Sequence, residues 1–264
     1  MNFEYENVSS AAISGMVVSG IIALAVPILL LIVWKKKSHA KISSFFIGCG
    51  TFVVFALVIE SIFHSIILGH LAPSIMDNFW LYGLYGGFMA GLFEETGRFV
   101  SMKFLMKKNL NKENAIMYGI GHGGIEAILL CAVTEISNIA TSMAINGGGI
   151  DFMLKAVPDE ATRQELYQQI SQLWTIRPDQ FFAAGIERMS AITFHIAASY
   201  IVYKAVKDKK ISKYILAIVL HMGLDSITVF LNSNGVEIWI IEVAVAVFST
   251  AVMLFAIRDY KVRD

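Results

Sequence analysis

Charge is scarce in this sequence: Asp, Glu, Lys and Arg make up 16% of 264 residues, where a soluble globular domain carries about a quarter. That shortage, with 56% hydrophobic residues and a mean hydropathy of +0.63, argues against a water-soluble fold. The net charge is zero, so nothing in the overall balance points to nucleic acid or an acidic partner. Cysteine is nearly absent. Cys49 and Cys131 both lie within apolar stretches, which excludes a disulfide framework and a cysteine-based metal centre. Proline occurs four times: Pro73, Pro158 and Pro178 are expected in loops, and Pro27 within a span, where a kink is tolerated. Repeats, low-complexity tracts and domain-dividing linkers are missing, so residues 1–264 are expected to form a single transmembrane domain. The opening MNFEYENVSS is acidic where a signal peptide is basic, so no cleaved leader is expected.

What is present is a set of long apolar runs. A spanning helix needs roughly 20 mainly apolar residues, and seven segments reach that length: about 12–34, 42–69, 79–105, 114–145, 180–203, 213–231 and 236–257. The expected fold is therefore all-α, a polytopic membrane helix bundle of about seven transmembrane helices. Basic residues orient it. Lys35, Lys36, Lys37 and Lys41 follow the first span, and Lys103, Lys107, Lys108 and Lys112 the third. Lys204, Lys207, Lys209, Lys210 and Lys213 follow the fifth, and Arg258, Lys261 and Arg263 the last. Sixteen of the 21 basic residues thus fall on alternate connections, which predicts the N-terminus outside and the C-terminus in the cytoplasm. The long connection 146–179 is expected to be extracytoplasmic. In it Leu166, Ile170, Leu173 and Trp174 recur at helical spacing behind Asp159-Glu160. Either an amphipathic helix on the membrane surface or a solvated loop with a short helix fits.

Against this apolar background the ionisable residues inside the spans stand out, because each costs at least ~2.5–3.5 kcal/mol near the bilayer centre. The third span carries Glu94, Glu95 and Arg98, and the fourth His122 and Glu126. The fifth carries Glu187, Arg188 and His195, and the sixth His221 and Asp225. At 1.5 Å per residue, all but Arg98 and the Glu187-Arg188 pair fall in one slab roughly 12–18 Å from the lysine-rich surface. Glu187-Arg188 lies further out, with packing and substrate-entry roles both open and a structural one favoured; Glu60, His64 and Glu135 are expected to be interfacial or structural. His122/Glu126, His221/Asp225 and Glu94/Arg98 are i,i+4 pairs, each sharing a helix face. A His–acid pair of this kind can bind one metal with both side chains, or supply a ligand and the carboxylate that orients it. Three imidazoles with carboxylates nearby suit zinc with one position open for water, and an adjacent glutamate can take that water's proton. Such a centre inside a bilayer would cut a peptide bond that has entered it.

Four stretches then stand in order: Phe93-Glu94-Glu95-Thr96-Gly97-Arg98, Gly119-Ile120-Gly121-His122-Gly123-Gly124-Ile125-Glu126, Phe194-His195, and His221-Met222-Gly223-Leu224-Asp225. Over roughly residues 79–231, a peptidase-like core, they resemble the bacterial YhfC family of intramembrane peptidases, related to PrsW and to the CAAX protease and bacteriocin-processing group. The resemblance implies that Glu94 or Glu95 activates the hydrolytic water and that His195 and His221 sit at the catalytic or metal centre. Glu126 matches the acid of the second PrsW-like motif, and Asp225 the residue four after the last histidine. The chain departs by having His122 where PrsW-like proteins have Phe. Its basic residue is one position nearer the Glu pair, and it has Asp rather than Asn after the last His, compared with the bacteriocin-processing group.

The expected function is therefore an intramembrane metal-dependent endopeptidase acting on a peptide or membrane-protein substrate in a bacterial plasma membrane. Catalytic roles fall to Glu94, Glu95 and Arg98, with Arg98 anchoring Glu94 or stabilising charge. His122, His195 and His221 are expected to hold zinc, with Glu126 and Asp225 as further ligands or as groups orienting them. The rival readings are a proton- or ion-coupled transporter, which would show helices broken near mid-membrane, a haem protein using two of the histidines, and an inactive scaffold or immunity protein on the same fold.

Overall fold

A computed structural model describes residues 4–262; Arg263, one of the orienting basic residues, lies outside them. Nine helices form among the described residues. They are α1 (Ser10–Lys37), α2 (Ile42–Met76), α3 (Phe79–Val100, continued by a π-helical turn over Ser101–Leu105), α4 (Lys112–Asn146), α5 (Ile150–Lys155), α6 (Glu160–Thr175), α7 (Pro178–Lys207), α8 (Ile211–Ser233) and α9 (Ile238–Val262). No strand occurs among the described residues. The protein is a polytopic helical membrane bundle.

Six of the helices are long and apolar enough to cross a membrane: α1, α2, α4, α7, α8 and α9. The exception among the long ones is α3. It spans Phe79–Leu105 without a break, but Glu94, Glu95, Arg98 and Lys103 lower its apolar character. These charges do not place α3 outside the bundle: Glu94, Glu95 and Arg98 are all buried.

Helix boundaries follow from local chemistry. Ser9 caps α1 by accepting from the Ala12 amide, and Asn78 caps α3 through the amides of Trp80 and Leu81. Asn111 caps α4 at Asn114. Pro178 occupies the opening turn of α7, where its missing N–H costs nothing. Pro73 corrects the expectation of a loop: α2 runs through it to Met76, since a proline late in a helix forfeits one backbone bond that its neighbours can absorb.

At the centre stands α7, with 78% of its most apolar stretch buried, and α1, α3, α4, α8 and α9 pack around it. α3 pairs with α8 and α4 with α2. Glycine sets the closeness of two of these contacts. A Cβ at Gly121 would stand 2.0 Å from the carbonyl oxygen of Phe45 on α2, and one at Gly91 would stand 2.8 Å from that of Ile218 on α8. α4 continues as regular helix through Gly119–Gly124, so this glycine run is a packing surface rather than a break.

Connection 146–179 holds two helices. In α6, Asp159 caps the start, and Ile170 and Leu173 turn into the protein. There they join Val8, Ala12 and Met16 near the start of α1, with Ile145 and Phe181.

Candidate metal centre

Four helices deliver the polar side chains to one place. The i,i+4 pairs on α4 and α8, the Glu-Glu-x-x-Arg run on α3 and His195 on the buried face of α7 converge as their common depth predicts. Glu94 Oε2 stands 3.9 Å from His195 Nδ1 and 4.0 Å from His221 Nε2. Glu94, His195 and His221 each offer a ligand atom, all within 4.8 Å of one another, and all three residues are buried. One carboxylate oxygen and two imidazole nitrogens suit a zinc-like ion with a fourth position open.

Behind this trio lies a layer of orienting contacts. His221 Nδ1–H donates to Glu95 Oε1 at 2.9 Å, which leaves Nε2 with its lone pair facing Glu94 and, at 3.6 Å, Asp225. Glu95 in turn accepts from Arg98 Nη1 at 2.9 and 3.1 Å, through both of its oxygens. A histidine whose far nitrogen donates to a carboxylate is the arrangement that fixes a metal-ligating imidazole. His122 Nε2–H donates to Glu94 Oε2 at 2.8 Å and so holds that carboxylate. The donor set and its supports therefore fit a divalent metal.

Two expectations change. Arg98 does not anchor Glu94: helical spacing favoured that i,i+4 pair, but the guanidinium swings to Glu95 at i,i+3. Its Nη2 meets His195 Nδ1 at 3.0 Å. His122 stands outside the converging trio and contacts Glu94 from beside it. Glu126 points away from His122, its i,i+4 neighbour. Its Oε2 is 2.5 Å from His195 Nε2, and its Oε1 accepts from Arg188 Nη1 at 2.8 Å.

Of the two roles open to Glu187 and Arg188, packing and substrate entry, the second gains support: both line the site's cavity of about 270 Å³ together with Glu94, Glu126, His221 and Asp225. Arg188 is its one Lys or Arg and grips Glu187 through Nε at 3.0 Å and through Nη2. The missed signal was spacing: Arg188 and His195 are seven apart, two turns along one face of α7. Glu60 and His64 do not line that cavity; they are joined to each other at 3.1 Å, and His64 to Tyr85 at 2.8 Å.

A family model described as YhfC intramembrane metalloprotease matches residues 22–245, which takes in part of the first span and all of the second as well as the four motifs. A relative, "Uncharacterized membrane protein YhfC" of Bacillus subtilis (strain 168), is 35% identical over 255 residues, covering 96% of each chain. No solved structure matches. The buried carboxylate–imidazole centre and the match across most of the chain agree: the protein belongs to the YhfC intramembrane metalloprotease family.

Proposed function

We propose that the protein is an intramembrane metal-dependent endopeptidase, a seven-span bundle with its N-terminus outside and C-terminus inside a bacterial plasma membrane. The observation that carries the reading is the convergence of Glu94, His195 and His221 beside a cavity, with Glu95 placed behind His221.

Glu94, His195 and His221 would hold the ion. When bound, it supplies Lewis-acid polarisation and makes water ionise near neutral pH. Glu94 does the proton work. Its Oε2 is held by His122, leaving Oε1 to take a proton from the attacking water. That water adds to the carbonyl carbon of the scissile peptide, the C–N bond breaks, and the proton passes from Glu94 to the leaving nitrogen. Glu95 is fully buried and committed to Arg98 and His221, so its part is to orient. Arg188 holds Glu126 against His195. Helices α3, α4, α7 and α8 keep bulk water from the centre, where charge interactions are stronger than in solvent.

The transporter reading calls for helices interrupted at the binding site, and α4 runs unbroken through its glycines. The test is mapping of new N-termini in membranes of cells expressing the wild type or Glu94→Gln at equal level. Termini inside apolar segments that vanish in the variant are the expected result. Identical termini in both would overturn the reading and leave an inactive scaffold.

A further inference from the structure

The cavity beside the metal centre extends away from the lysine-rich end of the bundle. Its residues Glu187, Arg188 and Ala191 precede His195 on α7, and Asp225, Thr228 and Val229 follow His221 on α8. Residues 208–210 join the two helices at the lysine-rich end, so both sets lie on one side of the imidazoles. Glu187, eight residues before His195, stands roughly 12 Å along.

This extension is acidic. Glu126, Glu187 and Asp225 line it against Arg188, and Arg188 is shared: Nη1 goes to Glu126, and Nε and Nη2 go to Glu187. Asp225 meets no Lys or Arg; its ion-pairing contact is His221 Nε2 at 3.6 Å. The charges of Glu126, Glu187 and Glu60 all act on it, Glu60 being held by His64. Asp225 and Glu187 also face the opening, with 36% and 30% of their side chains exposed.

A separate observation stands on α9. Glu242 is 6% exposed, and its Oε2 has no hydrogen-bond partner. It lies three residues before Val245, which lines the cavity, and so on the same helix face. Glu187 and Arg188 are the charged groups that act on it. With the imidazoles neutral, as metal binding requires, the carboxylates of Glu94, Glu126, Glu187, Asp225 and Glu242 outnumber the positive charges of Arg188 and a divalent ion. That holds whether or not Asp225 joins the ion. Carboxylates at membrane depth face a counter-charge or a substrate path.

We infer, building on the peptidase function proposed for this site, that the acidic extension receives a lysine or arginine side chain of the peptide whose scissile bond lies at Glu94. An extended peptide advances ~3.3 Å per residue, which puts that basic residue within about four residues of the cut.

Binding is read on the Glu94→Gln protein in detergent, with a fluorescent Leu/Ala peptide of ~20 residues carrying one Lys or one Gln at its centre. The Lys peptide should bind ~10-fold more tightly, and adding Glu187→Gln or Glu242→Gln should erode that preference. Glu242→Gln removes an unpaired buried charge and keeps the side chain's shape, so this variant should fold. New N-termini mapped in membranes of cells expressing the wild type should show Lys or Arg within about four residues of the cuts, an enrichment that both substitutions weaken. Equal binding of the two peptides overturns the inference, as does a preference untouched by both substitutions. Cleavage without preference would overturn it and keep the peptidase; preference without cleavage would keep the acidic site and overturn the peptidase.

Discussion

Glu95 and His221 are locked together at 2.9 Å, with the imidazole's Nδ1–H on the carboxylate and its Nε2 facing Glu94. Two adjacent glutamates thereby divide the labour: Glu95 sits behind the histidine and Glu94 in front of it. Glu94→Gln keeps an oxygen for His122, so the fold should survive and cleavage should be lost. Glu95→Gln removes the counter-charge of buried Arg98, and breaking such a pair costs ~3–5 kcal/mol. It should also weaken metal binding ~10–100-fold. Melting curves and chelator competition on the two variants check this, and equal effects on stability would count against the division.

Arg188 couples to Glu126 across α7 and α4 at 2.8 Å, both side chains being nearly buried. In a cycle of Arg188→Gln, Glu126→Gln and the double variant, the coupling energy should fall within ~0.5–3 kcal/mol. Arg188→Gln should also weaken metal retention, since Glu126 would no longer be held against His195. Additive effects with unchanged metal affinity would return Arg188 to a purely structural role.

Gly121→Ala places a methyl group 2.0 Å from the Phe45 carbonyl, so α2 and α4 must separate. An overpacking cost of ~1–3 kcal/mol is expected. Gly50→Ala, in α2 with nothing within 4 Å of the new atom, should instead stabilise by ~0.5–1 kcal/mol through helix propensity. Thermal unfolding in detergent of both variants reads the contrast.

Asp159 opens α6 by accepting from the amide and hydroxyl of Thr162, which hold its carboxyl below the usual aspartate range. A depressed carboxyl contributes above its unfolded value, ~3.9, and that contribution fades as pH falls through the folded one. Hydrogen exchange over 160–175 should therefore speed up on acidification, after correction for the intrinsic pH dependence of exchange. In Asp159→Asn, whose cap does not titrate, this extra increase should be absent.

Much of this was legible in the sequence because lipid imposes simple rules. Apolar runs located the helices, and a shared depth for Glu94, His122, His195 and His221 marked a common centre before any coordinate. Spacing could not say which side chain turns to which. Glu94 and Glu95 are equivalent on paper, and Arg98 reaches Glu95 because α3 presents both against α7 and α8. Arg188 lies a step outside the slab, so depth alone favours a structural role, yet its long guanidinium spans that step to Glu126. The end of α2 was missed for a different reason: proline near a helix end is a weaker stop in a membrane than in water.

The most direct measurement is the divalent metal content of the detergent-purified protein, prepared without chelator, for the wild type and His195→Ala/His221→Ala. About one ion per chain is expected in the wild type, and its loss in the double variant. An ion retained by the double variant, or a wild type metal-free even after incubation with zinc, would contradict it.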